Sequence, residues 1–572
     1  MMKGEFGVIP SEIIFDQILS NFEYTWILNT VRLVCKNWNE NYKSTPTFYF
    51  PMQFSEESKH LEIILTKHSD ELHKITHLEC HPSEYLDSNI EFISKLTNLK
   101  SLKLSNCSND VIVEFSKLKT LENVQLVKMN INSIRLLFET KSKIKTLFIK
   151  TWSPERVNVQ VEDLLFDQLD WPLERLFLHG QLNSKSYISI FESKFANKLK
   201  NFGICNTFIE KSIFEHIRKL ESITDLFCLT FRNNLFEEEM KFISPLGNLK
   251  KFHFISKGRI KEEAVKDLST LKKLEELHLD NNLITACNFP YLENMKSLNL
   301  QNNRIGNEGA INLCSLSNLT ELNLSNNLIG GQGLKYFYKL SQLKILNLSS
   351  NQVGDVGANY LSENVKLENL SLKESLIGEE GLRNFGNLKL LKYLMLNNNK
   401  IGNGLKYLSN CNELEYLHVG SNDIGDESVI ELFRSEFRNL IHLDISHNYV
   451  SYKCCDVISK MNQLKELNIS NNPSIGDTGL SLLSPLSIIK LEANNCGVSD
   501  SGIIDYLNFE PKISTLHIKS NKLSNMTLQA LISYAQNRSI SELKISDSPN
   551  FDTMLKKQLG KLIQCIHFLV VR

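Results

Sequence analysis

Histidine and cysteine side chains are the groups in this sequence that could act as nucleophiles, general bases or metal ligands. The chain has 14 histidines and 12 cysteines, and they are scattered, with Cys454 and Cys455 the only adjacent cysteines. It lacks the spaced motifs of zinc sites, redox dithiols, serine nucleophiles and phosphate-binding loops. A reactive thiolate needs a basic or helix-N-terminal setting, whereas several cysteines here occupy apolar positions. We therefore predict that the chain is not an enzyme and has neither a metal site nor a cofactor.

Charge and hydropathy argue against further classes of protein. The chain of 572 residues has 64 basic and 65 acidic residues, a net charge of −1, and so lacks the basic excess typical of DNA- or RNA-binding proteins. No stretch reaches the ~20 apolar residues of a membrane span, and the first residues do not resemble a signal peptide. We predict a protein of the cytoplasm, and also of the nucleus, without a nucleic-acid or membrane partner. The apolar tail, residues 562–571, is expected to form a terminal strand that closes the core.

A repeated apolar pattern dominates the second half of the sequence. The pattern L-x-x-L-x-L-x-x-N recurs in steps of 21 to 27 residues, most often 24. Its first apolar positions are Leu274, Met295, Leu319, Leu343, Leu367, Leu391, Leu414, Leu440, Leu464, Ile488, Ile513 and Ile540. Its ninth position is asparagine at Asn282, Asn303, Asn327, Asn351, Asn399, Asn422, Asn448, Asn472 and Asn521. A constant period of this length predicts a solenoid of stacked strand–turn–helix units.

Each repeated position has a physical reason. The leucines at the fourth and sixth positions are two residues apart, so on a strand they point to the same face, into the core. The asparagine side chain can bond backbone groups of the turn, so stacked asparagines should form a continuous ladder. The glycines of the following I-G-x-x-G pattern, as in Ile305, Gly306 and Gly309, permit a tight turn and close packing before a short helix. The sequence therefore predicts an α/β fold with stacked parallel strands and short helices.

These residues resemble leucine-rich repeats, and the I-G-x-x-G turns resemble those of ribonuclease-inhibitor-like repeats. Cys107 and Cys496 occupy the asparagine position, as in the cysteine-containing repeats common in F-box proteins. Weaker copies of the pattern start at Ile75, Leu99, Leu121, Ile144, Leu173, Leu199, Ile223 and Leu249. The resemblance implies a horseshoe solenoid of about twenty units with a concave parallel sheet and convex short helices. We predict irregular repeats over residues 75–270, regular repeats over 271–548 and a C-terminal cap over 549–572.

Residues 1–50 do not follow the repeat, and residues 51–74 are predicted to connect them to it. The segment opens with Ile9-Pro10-Ser11-Glu12 and ends with Leu33-Val34-Cys35-Lys36-Asn37-Trp38. Pro10 suits the first turn of a helix, where its missing N–H costs nothing. The segment resembles an F-box, a small all-α unit with the pattern L-P-x-E, an apolar helix and L-V-C-K-x-W. The spacing from Pro10 to Cys35 is somewhat longer than in that family pattern.

The F-box resemblance implies that these helices bind a Skp-type adaptor of a cullin-based SCF ubiquitin ligase. By position, the residues that would supply the apolar contact or its support are Ile9, Pro10, Ile13, Ile14, Ile18, Leu19, Leu28, Leu33, Val34 and Trp38. The chain would then be the substrate-recognition subunit that presents a target protein for ubiquitination and proteasomal degradation. In the alternative, residues 8–40 are only a helical cap on the first repeat. The chain would then be an interaction scaffold or regulator, for example of a small GTPase.

A partner protein is expected on the concave sheet. In each repeat, the residue between the second and third core leucines points away from the core, toward any ligand. In the regular repeats the candidate partner-binding residues of this column are His278, His418, Asp444 and His517. In the irregular repeats they are Phe148, Phe177, Phe227 and His253. The three phenylalanines would form an exposed apolar patch, a common mark of binding sites, whereas a one-residue slip in register would return the rings to the core.

Overall fold

Most of the described repeats fold as a short parallel strand followed by a turn and a helix. The computed structural model describes residues 73, 76–80, 90–129, 131–138, 143–151, 164–180, 182–206, 211–230, 240–256, 260, 262–289, 292–435, 437–563 and 565–570. The chain divides into two compact units, Met1–Leu199 (unit 1) and Lys200–Arg572 (unit 2). The predicted F-box-like segment, residues 1–50, lies outside the described residues together with every predicted adaptor-binding residue.

Unit 1 contains a parallel sheet in which each described strand pairs with the next one along the chain. Its strands are β1 His77–Cys80, β2 Ser101–Ser105, β3 Asn123–Met129, β4 Thr146–Thr151 and β5 Arg175–His179. Its helices are Asn109–Ser116, Ile131–Phe138 and Ser184–Glu192, with 3-10 helices at Ile90–Lys95 and Ala196–Lys198.

Unit 2 has the same kind of arrangement, and its strands pair in chain order, all parallel. The first strands are β6 Asn201–Asn206, β7 Asp225–Thr230, β8 Lys251–Ser256, β9 Glu276–His278, β10 Ser297–Asn299, β11 Glu321–Asn323, β12 Ile345–Asn347 and β13 Asn369–Ser371. The remaining strands are β14 Tyr393–Met395, β15 Tyr416–His418, β16 His442–Asp444, β17 Glu466–Asn468, β18 Lys490–Glu492, β19 Thr515–His517, β20 Glu542–Asp547 and β21 Cys565–Val570. The predicted strand in the apolar tail is confirmed, since β21 pairs with β20.

Most connections of unit 2 contain an α-helix or a tighter 3-10 helix, whereas the connection from β9 to β10 has neither among its described residues. The α-helices are Lys211–Ile217, Met240–Ile243, Glu262–Asp267, Asn307–Leu313, Gly354–Leu361, Asp426–Leu432, Tyr452–Ile458, Gly476–Leu483, Asp500–Asn508, Asn525–Asn537 and Thr553–Leu562. The 3-10 helices are Leu268–Thr270, Gly331–Leu334, Phe337–Lys339, Glu380–Leu382, Phe385–Asn387 and Gly402–Leu408. Among the described residues, no helix combines the length and the apolar character that crossing a membrane requires.

The core of unit 2 is formed by the repeated leucines. Leu277 and Leu279 on β9 and the turn after it are fully buried, and Leu298 and Leu300 occupy the same positions in the next repeat. The alternate residues of the same strands are partly exposed, so each strand has one core face and one outer face. Helical residues such as Ala310 and Leu313 are also fully buried. This pattern confirms the predicted leucine-rich-repeat solenoid with a parallel sheet and short helices.

The predicted asparagine ladder is present in unit 2. Asn303 Nδ2 donates to Leu300 O in its own turn and to Leu279 O in the preceding repeat, both at 2.9 Å. Asn303 Oδ1 accepts a hydrogen bond from the backbone N–H of Ile284 at 3.1 Å. Asn351 and Asn472 make equivalent bonds. Because each side chain links two repeats through otherwise unpaired backbone groups, the ladder stabilises the stack along its length.

Two local features explain why the repeat uses small and turn-forming residues. The residue before each ladder asparagine is left-handed, as at Asn302 with a φ of 54° and Asn326 with a φ of 54°, a conformation that asparagine tolerates well. A Cβ added to Gly309 would lie 2.3 Å from Thr285 O of the preceding repeat. Gly309 is therefore required for close packing between repeats.

Most described cysteines are part of the core. Of the ten whose side chains the structure describes, eight are buried free thiols, while Cys107 and Cys565 are partly exposed. Burial raises the pKa of both Cys228 and Cys411 to about 12. Such thiols stay protonated at neutral pH and are poor nucleophiles. The prediction that several cysteines are small core residues is confirmed.

Candidate binding face

The outer face of the sheet consists of alternate residues of each strand. In unit 2 the register places the predicted partner-binding column in a continuous line, with His253 paired to His278 and His278 to Asn299. His418 pairs with Asp444, both on the same column. The residue two positions earlier on each strand shares this face, since side chains alternate. The outer face therefore carries two neighbouring columns of side chains.

The prediction of an exposed phenylalanine patch is wrong. Phe148 pairs with Phe177 in unit 1, and Phe227 pairs with His253 in unit 2, so the rings are in the outer column and no one-residue slip occurs. Yet Phe148 and Phe177 are each 6% exposed and Phe227 is 3% exposed. Side chains at paired positions on adjacent strands are close enough to cover one another. The Phe227 and His253 rings do so, with their centroids 4.7 Å apart.

Three side chains of β8 and β9, here called the triad, converge on one point of the outer face: His253, Glu276 and His278. His253 Nε2 lies 2.8 Å from Glu276 Oε1, and His278 Nε2 lies 3.5 Å from the same oxygen. The two imidazole rings stack at 3.8 Å with an interplanar angle of 13°. The other carboxylate oxygen, Glu276 Oε2, lies 2.7 Å from Lys251 Nζ. Among the described residues, these three side chains form the group of histidine, cysteine and acidic residues whose ligand atoms lie close enough together to hold a metal ion.

The environment of the triad fixes its ionisation. Burial opposes the charge on Glu276, but hydrogen bonds with His253 and Lys251 outweigh it and lower the pKa of Glu276 to about 2. Burial, helped by the neighbouring His253, lowers the pKa of His278 to about 3. At neutral pH, Glu276 is therefore a carboxylate and His278 a neutral imidazole.

A second group on β14–β16, the aromatic cluster, consists of Tyr393, Tyr416, His418 and His442. The His418 and His442 rings stack at 4.4 Å, and the Tyr416 ring stacks on His442 at 5.9 Å. The Tyr393 ring lies 5.6 Å from Tyr416 and 5.5 Å from His418. All four side chains are partly exposed. The cluster therefore presents a continuous, mutually supported ring surface to solvent.

Two carboxylates flank the aromatic cluster. Asp444 Oδ2 lies 3.8 Å from His418 Nδ1 and accepts a hydrogen bond from Asn397 Nδ2 at 3.1 Å. Burial opposes the charge on Asp444, but His418 and hydrogen bonds with Ser446 outweigh it, so the pKa of Asp444 is lowered. On the other side, Glu466 Oε2 lies 3.0 Å from His442 Nδ1. The cluster is thus bordered by negative charge.

A third group on β18–β20 alternates basic and acidic side chains. Lys490 Nζ lies 2.7 Å from Glu492 Oε1, and His517 Nδ1 lies 3.5 Å from Glu492 Oε2. On the far side, His517 Nε2 lies 3.4 Å and Lys544 Nζ 2.9 Å from Glu542 Oε1. Only 8% of the His517 side chain is exposed. Its carboxylate neighbours therefore hold His517 within the sheet surface.

The sequence correctly located the outer column but missed its companions. His278, His418 and Asp444 lie on the outer face as predicted by the repeat, and whether they bind a partner stays a prediction. The second outer column was not predicted to contain site residues, although each of its members lies two positions before a residue of the predicted column. These members are Glu276, Tyr393, Tyr416 and His442. The period-two alternation of a strand was the signal that could have found them.

Two family models match segments of unit 2. One, described as "Leucine rich repeat", matches residues 317–377, and another with this description matches residues 291–314, 410–433 and 460–484. The chain carries leucine-rich repeats. It is therefore an interaction scaffold of the leucine-rich-repeat kind, and neither model describes a catalytic domain. No curated protein matches the sequence.

Several solved structures contain a similar repeat fold. An internalin of Listeria monocytogenes is 18% identical with a TM-score of 0.42, covering 64% of this chain and 90% of that chain. A plant peptide hormone receptor, RGFR1 in complex with RGF2, is 17% identical with a TM-score of 0.44, covering 86% of this chain and 90% of that chain. A leucine-rich-repeat protein of Leptospira interrogans is 19% identical with a TM-score of 0.40, covering 83% of this chain and 98% of that chain. These similarities concern the fold alone.

Proposed function

We propose that the chain is a substrate-recognition subunit of an SCF-type ubiquitin ligase. The observation that carries the proposal is the pair of sequence motifs around Pro10 and Trp38, which precede a leucine-rich-repeat array. Residues 9–38 would bind a Skp-type adaptor through their apolar side chains. The sheet of unit 2 would bind the target protein. An intracellular location, in the cytoplasm and also the nucleus, is part of this proposal.

The aromatic cluster is the part of the outer face best suited to anchor a target. Aromatic side chains that are already stacked lose little conformational entropy on binding and often dominate interface energies. Asp444 and Glu466 add negative charge beside the His418 and His442 rings of the cluster. A lysine or arginine side chain of the target could therefore meet both a ring face and a carboxylate.

The mechanism needs no chemistry on this chain. Holding a target protein next to a ligase raises the effective concentration of the target at the site of ubiquitin transfer. The repeat array serves as the holder, and the transfer itself takes place on the partner proteins. This division of roles accords with family matches that describe a repeat rather than a catalytic domain.

The experiment is co-purification of the full chain with a Skp-type adaptor. Three altered chains are compared with it: one lacking residues 1–45, the double variant Pro10→Ala with Leu33→Asp, and Tyr416→Ala as a control on the outer face. The proposal expects the intact chain and Tyr416→Ala to retain the adaptor, and the other two to lose it.

The alternative outcome is equally clear. If the intact chain does not retain the adaptor, or retains it equally well after both N-terminal changes, residues 9–38 are not an adaptor-binding unit. The chain is then a leucine-rich-repeat scaffold or regulator, for example of a small GTPase, whose N-terminal segment caps the repeats.

A further inference from the structure

The triad brings three metal-ligand types together without a sequence motif. Its two histidines come from adjacent strands, and Glu276 lies two residues before His278 on β9. One ligand atom from each of the three side chains, a ring nitrogen of each histidine and a Glu276 oxygen, lies within 4.8 Å of the other two. Two imidazoles and one carboxylate are a ligand set that proteins use for zinc.

The geometry points to a zinc-binding site formed by His253, Glu276 and His278. Tetrahedral zinc bound at about 2.0–2.1 Å separates its ligand atoms by about 3.4 Å. Glu276 Oε1 is already 2.8 Å from His253 Nε2 and 3.5 Å from His278 Nε2. These oxygen–nitrogen distances are thus close to those of a zinc site, and the two stacked imidazole rings would have to rotate out of their parallel arrangement so that both Nε2 atoms face the ion.

The surroundings of the triad hold its ligands in place. Lys251 Nζ contacts Glu276 Oε2 at 2.7 Å, which fixes the carboxylate and leaves Oε1 directed at the two histidines. Hydrogen-bonded partners of this kind orient a metal-ligating carboxylate. His253 is only 3% exposed and is covered on one side by Phe227. The Glu276 and His278 side chains, 15% and 19% exposed, give the ion access from solvent.

A comparison within the molecule shows what is particular to the triad. The stacked pair His418 and His442 also lies on the outer face. There, however, the carboxylates diverge: Asp444 lies beside His418, whereas Glu466 lies on the far side of His442. A histidine pair alone does not supply three converging ligands, so the aromatic cluster offers a matched control.

Three protein ligands leave one zinc position open. Because the triad lies on the outer face, water or a side chain of a bound protein can fill this position. The site is thus placed where a metal ion could bridge the chain and its partner. This inference does not depend on the ubiquitin-ligase proposal.

To test the inference, metal is first removed from the full chain with a chelator. The chain is then titrated with zinc, and binding is measured by isothermal titration calorimetry. The intact chain is expected to bind one zinc ion, and His278→Gln or Glu276→Gln should weaken binding roughly 100-fold or more. His418→Gln should bind zinc like the intact chain. Circular dichroism of each variant verifies that it is folded.

A second measurement on the unaltered chain keeps the test independent of the variants. Cobalt(II) added in place of zinc should give the intense visible absorption of a four-coordinate site, and zinc should abolish it. The inference is overturned if the intact chain takes up no zinc at micromolar concentrations. It is also overturned if His278→Gln and His418→Gln weaken zinc binding equally, which would indicate unspecific binding to surface histidines.

Discussion

Individual ionisable residues on the outer face are held by partners on the neighbouring strand. Glu492 is the strongest case outside the triad. Hydrogen bonding with His517, then with Lys490, outweighs the effect of burial and lowers the pKa of Glu492 from its ordinary value of 4.5 to about 2. Since the folded state favours the charged carboxylate more than the unfolded state does, Glu492 stabilises the fold above about pH 4.5.

We expect this contribution to disappear as the pH falls from about 5 to about 2. Glu492→Gln should remove roughly 1–2 kcal/mol of pH-dependent stability, a value reduced for partial exposure of the group. The measurement is urea unfolding of both chains at pH 5 and pH 3, where the variant should lose less stability than the unaltered chain. Glu363→Gln, in the exposed turn that follows the helix Gly354–Leu361, is the control. Parallel losses in the unaltered chain and Glu492→Gln would contradict the assignment.

At the same scale, the sequence predicts where side chains point better than it predicts what they contact. The repeat spacing alone predicts that His253 and His278 are neighbours in the outer column. The alternation of side chains along a strand predicts that Glu276 lies on the same face. The convergence of their atoms depends on rotamers, and no motif encodes it because the ligands lie on two strands. The burial of the outward-facing rings could not be predicted either, because it depends on which side chains of the neighbouring repeats cover them. These rings are Phe148, Phe177 and Phe227.

At the scale of elements, the asparagine ladder determines how one repeat is joined to the next. Asn448 Nδ2 donates to Val419 O, Ile445 O and Ser446 O, each at 3.0 Å. Its Oδ1 accepts hydrogen bonds from the backbone N–H groups of Asn422 and Ile424, each at 3.0 Å. A single buried side chain thus satisfies backbone groups of two turns.

Asn448→Ala should destabilise the protein by about 3 kcal/mol, because buried backbone donors and acceptors lose their partners. Asn448→Ser should cost less, since Ser375 occupies the equivalent position and still reaches Leu348 O at 3.2 Å. The exposed Asn462→Ala should change stability by less than about 0.5 kcal/mol. Urea unfolding gives the free energies, and hydrogen exchange should accelerate at Asn422 and Ile424. Equal stability of Asn448→Ala and Asn462→Ala would show that the ladder is not stabilising.

The elements themselves were largely predictable, because each strand is marked by leucines two residues apart and a following asparagine. Helix type was not. The connections at Gly331–Leu334 and Gly402–Leu408 are 3-10 helices, where the sequence indicated only short helices. Both segments contain two glycines, but so do the α-helices Gly354–Leu361 and Gly476–Leu483, so glycine content does not decide the helix type. Strand length also changes, since β9–β19 have three residues each whereas β3, β4 and β6–β8 have six or seven.

At the scale of the whole molecule, the chain is divided into units 1 and 2. Solenoid stability is a sum of contributions from single repeats and from contacts between neighbours. Unit 2 contains β6–β21 with their own buried core and its own asparagine ladder. Its stabilising interactions are therefore mostly internal.

We expect residues 200–572 to fold when expressed alone. Circular dichroism should show the mixed helix and strand signal, and thermal unfolding should be cooperative, because neighbouring repeats support one another. The fragment should also bind one zinc ion as the full chain does, since it includes the triad. An unfolded fragment would show that unit 2 depends on residues of unit 1 for stability.

The triad straddles a single junction, with His253 on β8 and its two companions on β9. Leucine-rich-repeat genes can lengthen or shorten by whole-unit duplication and loss, since every repeat offers the same stacking surface to its neighbour. Such an event elsewhere in unit 2 would leave the three ligands together. A unit inserted between β8 and β9 would instead separate His253 from Glu276 by about one further strand spacing, ~4.8 Å. The zinc site therefore depends on the repeats of β8 and β9 remaining adjacent, and not on the total number of repeats.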